Sequence, residues 1–177
     1  MGEPLSLQQA KAHLRVDGDD EDDLISSCIV EARGWVEDYT GLILTSRAIV
    51  ESVSAFDARL RAWPITTLET ISYTDTDGLS QTLASADYTA QLTTRPARIT
   101  AAPGVRFPAL LPNTRISVSL TAGFTDAAAM IDFAPNLLRA MKIMLTEYYD
   151  NRGAADGGNR AENVAKALCR NLRNWAV

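Results

Sequence analysis

The chain has little of what catalytic sites are usually built from. It holds one histidine and two cysteines in 177 residues. A metal site or a histidine acid–base pair needs partners, and nothing is spaced to join His13. His13 lies beside Leu14 in a helical pattern, so it reads as a surface or interface residue. Cys28 and Cys169 lie far apart in apolar, helix-like runs; they read as small buried hydrophobes, with no disulfide framework. No run approaches the ~20 apolar residues of a membrane span. The start lacks the basic and apolar regions of a secretion signal, so a soluble protein of a reducing cytoplasm is expected. Also missing are a nucleophile elbow, a phosphate-binding loop and a dinucleotide fingerprint. Gly157-Gly158 is a loop with no strand feeding into it. The expectation is a protein with no catalytic residues, no cofactor and no metal.

Apolar residues make up 46% of the sequence and charged ones 22%, enough for a real core and too ordered a balance for global disorder. One compact domain, or one carrying a smaller inserted lobe, follows from that length. The formal charge is −5, which argues against gripping nucleic acid over a broad basic surface. That charge is polarised. Residues 1–23 carry seven acids against Lys11 and Arg15, whereas residues 160–177 carry Arg160, Lys166, Arg170 and Arg173 against Glu162 alone.

The order of elements reads helix, helix, a long β region, helix, helix. Ser6 and Gln9 form a capping-box pattern ahead of Leu7, Ala10 and Leu14, and this helix ends near Val16 and Gly18. A second helix is expected from about Asp20 to Thr40, with Leu24, Cys28, Ala32, Trp35 and Tyr39 on one face and Ile25, Ile29 and Val36 beside it; Gly41 stops it. From Ile43 to Phe124 short β-branched runs alternate with turn residues, and Asp77-Gly78 marks a hairpin. Five to seven antiparallel strands in a small sheet or sandwich are expected. Helical periodicity returns at Pro135, with Leu137, Met141, Met144, Leu145 and Tyr148 on one face. Those two methionines suit a helix core better than an adaptable groove. "RGAADGGN" is a flexible break, and a last helix carries Val164, Leu168, Leu172 and Trp175 on its apolar face. The fold class is therefore α+β: a bundle of about four helices built from 1–42 and 125–177, with an inserted β region over 43–124.

The densest chemistry is "VDGDDEDD", Val16 to Asp23, with six acids in eight residues. A calcium loop of the EF-hand kind wants glycine sixth and glutamate twelfth. Counting from Asp17 those places hold Asp22 and Cys28, and from Asp19 they hold Leu24 and Val30. A helix start fits better: Asp20 as cap, Asp23 in the capping-box position, and Glu21, Asp22 and Asp23 placing negative charge at the positive end of the helix dipole, with Asp19 part of the same acidic surface. A calcium-dependent binding module using residues 17–23 stays open. So does a metal-dependent hydrolase, which would need Asp75, Asp77 or Asp87 to converge on the same carboxylates. At the other end, Arg160, Lys166, Arg170 and Arg173 read as a solvated helix face or as a site for an acidic partner. Trp175, two residues from the end, suggests docking on the core or on another subunit.

In order along nearly the whole chain, the motifs resemble those of tailed-phage head–tail connector, or adaptor, proteins. "PLSLQQAKAHLRVDGDDEDDLISSCIVEARGWVEDYTG" (Pro4 to Gly41) is similar to the family's opening. "ISYTDTDG", "ADYTAQL", "PARI" and "ISVSLTAGF" echo its β signatures, and "APNLLRAMKIMLTEYYDNR" its penultimate helix. Phe107 stands where many relatives carry tryptophan, a change of packing only. The tail after Arg152 matches loosely. The resemblance implies a structural virion component, not an enzyme, of a bacteriophage or a gene transfer agent. Such proteins form a ring, typically twelvefold, beneath the portal protein, extend the DNA channel and provide a platform for the stopper or tail. DNA would pass without specific binding, and no membrane is involved. Localisation would be the virion head–tail junction, after assembly in the host bacterial cytoplasm. By the same resemblance Arg160, Lys166, Arg170, Arg173 and Trp175 are the expected portal- or ring-binding residues.

Overall fold

The structure, a computed structural model, describes residues 2–151 and 159–173. Helix α1 (Leu7–Leu14) starts at a closed capping box: the Gln9 N–H donates to Ser6 Oγ, and the Ser6 N–H to Gln9 Oε1, each at 3.2 Å. Arg15 ends it in the left-handed conformation, φ 59°. Helix α2 (Asp22–Thr40) ends at Gly41, φ 68°, whose N–H reaches the Glu37 carbonyl. Seven strands follow: β1 (Arg47–Val53), β2 (Arg59–Leu60), β3 (Ile65–Thr74), β4 (Ser80–Thr82), β5 (Tyr88–Gln91), β6 (Ala97–Ala101) and β7 (Ile116–Ala122). The chain closes with α3 (Ala127–Phe133), α4 (Pro135–Asp150) and α5 (Asn159–Cys169), and a 3₁₀ turn over Arg170–Leu172. This is the expected α+β class, with five α-helices and two antiparallel sheets among the described residues.

The chain divides into two compact units. One takes the described residues up to Thr45 and from Phe124 onward; the other is Ser46–Gly123. In the helical unit α2 and α4 form the central pair, with α1, α3 and α5 packed on them. The buried stripe of α2 is Ile25, Cys28, Ile29, Ala32 and Val36, closed by Thr40. Trp35 and Tyr39 lie to one side, their rings stacked 5.4 Å apart. Pro135 occupies the first turn of α4, which buries Leu137, Ala140, Met141, Met144 and Leu145. Tyr148, expected on that face, is only half-buried.

Two helical expectations need correction. A helix precedes Pro135: Asp126 caps α3 by accepting the Ala129 N–H at 2.8 Å. Ala134, at ψ 98°, then breaks the two apart, because a residue before proline is driven out of the helical region. On α5 the buried residues are Ala165 and Cys169, both 0% exposed, while Val164 is 46% exposed. Leu168 is only half-buried. The inward face is thus turned by one residue, because small side chains let α5 approach α4 closely. The break at Arg152 to Asn159 lies outside the described residues except for its last backbone position, as does Trp175.

The β unit holds a four-stranded sheet ordered β1-β7-β3-β4 and a three-stranded one ordered β2-β6-β5. Central β7 alternates cleanly, burying Ile116, Val118, Leu120 and Ala122. Strand β2 is too short to leave a sequence pattern. The β3–β4 hairpin turns at Gly78, φ 81°, with Asp75 accepting the Asp77 and Leu79 N–H groups at 3.0 and 2.9 Å. Those bonds and one from Gln81 hold the Asp75 carboxyl below its usual range, Gln81 contributing most. Phe56 packs edge-on to Tyr73 and is stacked 4.8 Å from Phe107. Phe107 therefore supplies the aromatic surface expected at that position.

Candidate functional site

The acidic run between α1 and α2 is a clamp. Lys11, on α1, donates through Nζ to Asp19 at 2.8 Å and to Asp22 at 2.7 Å. The two hydrogen bonds raise the lysine's pKa, and the Lys11 bond is the chief reason that Asp19 lies below its usual range. From α4, the Tyr149 hydroxyl donates to the Glu21 carboxylate. Three elements thus meet at the linker. Further along α2, Arg33 bonds Glu3 at 2.8 Å and Glu37 at 3.1 Å, while the other Glu37 oxygen accepts the Leu44 N–H at 2.7 Å. The segments flanking α1 and α2 are fixed by charge-assisted bonds at both ends.

The capping expectation fails in detail. The helix opens at Asp22, with Glu21 in the cap position and no side-chain cap bond. Asp20 instead sits in the turn closed by the Asp22 N–H on the Asp19 carbonyl, at 3.3 Å. Lys11 selects that turn by drawing Asp19 and Asp22 to one point. Asp22 and Asp23 do lie in the first helical turn, so the dipole reading stands. The calcium and hydrolase alternatives find no support. Asp19 and Asp22 face an ammonium group, Asp75 is committed to its own hairpin, and the described residues bring no three metal-ligating side chains together.

The basic end divides as well. Lys166 pairs with Glu162 at 2.8 Å. That bond is the main cause of the lowered Glu162 pKa, and Trp35 adds a further hydrogen bond. Arg173 lies over the Tyr39 ring, 5.5 Å from its centroid. Arg160 and Arg170 are exposed. Of the five basic-end candidates, Lys166 is paired within its own helix, Arg173 lies against α2, Arg160 and Arg170 face solvent, and Trp175 lies outside the described residues. His13 is exposed, with Nε2 3.2 Å from Thr146 Oγ1. Sequence reasoning missed Lys11 and Tyr149 as partners of the acidic run. Lys11 carried a signal, being a cation eight residues before Asp19; Tyr149, 128 residues from Glu21, carried none.

Compared with known proteins, the chain matches the model of the phage gp6-like head-tail connector protein family over residues 4–92, half of its length. It belongs to that family. The connector is thus a structural component of a phage-type virion. Among solved structures, a chain in the neck of an empty GTA particle computed with C6 symmetry aligns at TM-score 0.76 and 22% identity. That alignment covers 100% of the connector and 94% of the other chain. A chain from the virion of a native gene transfer agent (GTA) particle aligns at 0.75 and 23%, covering 98% and 91%. A third, from the neck of a native GTA particle computed with C12 symmetry, aligns at 0.74 and 23%, covering 100% and 94%. These likenesses establish a shared fold along the whole connector. No curated protein matches it.

Proposed function

We propose that the connector works as one subunit of a ring at the head–tail junction of a virion. The observation that carries this reading is full-length similarity to chains in particle necks computed with C6 and C12 symmetry, at TM-scores of 0.76 and 0.74. In the ring, the helical core of 1–42 and 125–177 builds the subunit body, and the β region of 43–124 is an inserted lobe. Twelve copies sit under the portal protein, extend the DNA channel, and offer a platform to the stopper or tail. The role is structural and non-enzymatic. A chain with a charge of −5 lets DNA slide without holding its backbone. Assembly takes place in the host cytoplasm.

Portal docking falls to the basic end: Arg160, Lys166, Arg170, Arg173 and Trp175. Removing everything from Arg160 onward would be a poor test, since it takes Ala165 and Cys169 out of the core. Charge reversal of exposed Arg160 and Arg170, combined with Trp175→Ala, keeps α5 in place. Electron microscopy of purified portal-bearing heads mixed with the wild-type connector is expected to show rings of connector density. The triple variant should fold and leave heads bare. Rings of undiminished occupancy would refute the docking assignment, and wild-type connector failing to form rings on heads would refute the ring itself.

A further inference from the structure

The three-stranded sheet carries charge that its own unit leaves uncompensated. Strands β2 and β6 pair with Arg59 directly opposite Arg98, and the adjacent pair is Leu60 with Ala97. Leu60 and Ala97 are buried, whereas Arg59, Arg98 and the neighbouring Gln91 of β5 are exposed. The two arginines therefore rise from one outer face, and Arg61, two residues beyond Arg59, is exposed as well. Like charges directly opposite on paired strands, with Cβ atoms about 5 Å apart, destabilise a sheet. Among the described residues none of these three arginines makes an ion pair. Glu51 is taken up by backbone, its two oxygens accepting the N–H groups of Arg61 and Ala62. All seven cations of Ser46–Gly123 are arginines, the side chain whose planar fork holds carboxylates two-handed.

The helical unit has the complementary surplus. Asp19, Glu21 and Asp22 are bound by Lys11 and Tyr149. Asp17, Asp20 and Asp23 are exposed, with no side-chain partner among the described residues. The clamp pins Asp19 and Asp22, between and beside which these three carboxylates lie, so little ordering is needed to bind them. A head-to-tail ring needs two different, matching surfaces on every copy. We propose that the Arg59–Arg61–Arg98 face of one copy receives the Asp17–Asp20–Asp23 edge of the next. The inference rests on the ring reading above and supplies its subunit contact.

The test uses full-length chains on connector-free, portal-bearing heads, with ring occupancy read by electron microscopy. The first variant is Arg59→Glu with Arg61→Glu and Arg98→Glu; the second is Asp17→Lys with Asp20→Lys and Asp23→Lys. Each alone is expected to need roughly tenfold or more connector for the same ring occupancy, the affinity loss that breaking a close charge pair gives at other interfaces. A chain carrying all six substitutions should recover it. Thermal melting reports whether each variant folds. If the triple arginine variant does not, Arg98→Gln, which relieves the like-charge pair, probes the same contact through a smaller loss of occupancy. Wild-type occupancy in the arginine variant overturns the proposal and leaves the ring standing. Failure of the six-fold variant to recover, with its fold intact, overturns it too. If the arginine variant forms full rings but its heads lose packaged DNA, the face serves the phosphate backbone and the proposal falls. Absence of wild-type rings overturns both readings.

Discussion

Replacing Ala165 by leucine should damage the connector more than Val164→Ala, although the apolar periodicity of the sequence points the other way. Ala165 and Cys169 are both fully buried, one helical turn apart, on the face that α5 turns to α4 and α2. Leucine adds three carbons where no side-chain space is open to solvent. Overpacking of this kind costs about 1–3 kcal/mol. Val164 is 46% exposed, and Val164→Ala at such a site should stay within about 0.5 kcal/mol. At roughly 2.1 cal/mol/K per residue, a chain of this length has an unfolding entropy near 0.4 kcal/mol/K. Ala165→Leu should then lower the melting temperature by about 3–8 °C, and Val164→Ala by no more than about 1 °C. Scanning calorimetry or far-ultraviolet circular dichroism on both variants makes the comparison. Equal losses, or a greater loss at Val164, would refute the assigned face of α5.

Gly34 sits inside α2, where a Cβ would meet nothing within 4 Å. Gly34→Ala should therefore raise stability by up to about 1 kcal/mol, read as a higher melting temperature. Burial pushes the Cys169 thiol up to about 11, and Cys28 is buried with it. A thiol reagent at pH 8 should label neither in the native chain and both after unfolding; rapid native labelling would contradict the packing. Removing the clamp with Lys11→Met should bring the Asp19 titration, followed by NMR, up towards its ordinary value of 3.8. Asp19 has its pKa lowered in the folded state, so its contribution is present above 3.8 and fades as the pH falls through the lower folded value. Lys11 has its pKa raised, so its contribution is complete below 10.5 and is lost as the pH climbs through the higher folded value. The wild-type linker should accordingly show extra amide-exchange protection across that window, and the variant should not.

What could be read from the sequence was mostly local. Ser6 with Gln9, Gly41, Pro135 and Asp77-Gly78 each announce a helix end or a turn through their own backbone chemistry, and each lies where expected. The misses share a different cause. Arg59–Leu60 is a strand only because β6 pairs with it. Ala127–Phe133 is a single short helix whose alanines carry no periodic signal, and Asp126 is its clearest mark. Val164 and Ala165 are both apolar, and only the proximity of α4 decides which one turns inward. Lys11 overrode Asp20 as the organiser of the second helix start because its bond to Asp22 spans eleven residues, further than a capping rule looks. The opposed Arg59 and Arg98 were invisible for the same reason, since their register exists only once the strands pair.

The first and last strands of the β unit have a bearing on how such a chain can change. Arg47 lies opposite Ala122 in the β1–β7 ladder, so the insertion leaves its sheet one strand spacing from where it entered. To the helices it is a loop already tied at the neck, however much chain hangs beyond the tie. Enlarging such a loop adds closure entropy only logarithmically. Hairpins and strands can therefore be gained, lost or exchanged beyond the β1–β7 pair while the helical unit keeps its own packing, and the pair itself is the splice point that such an exchange must preserve.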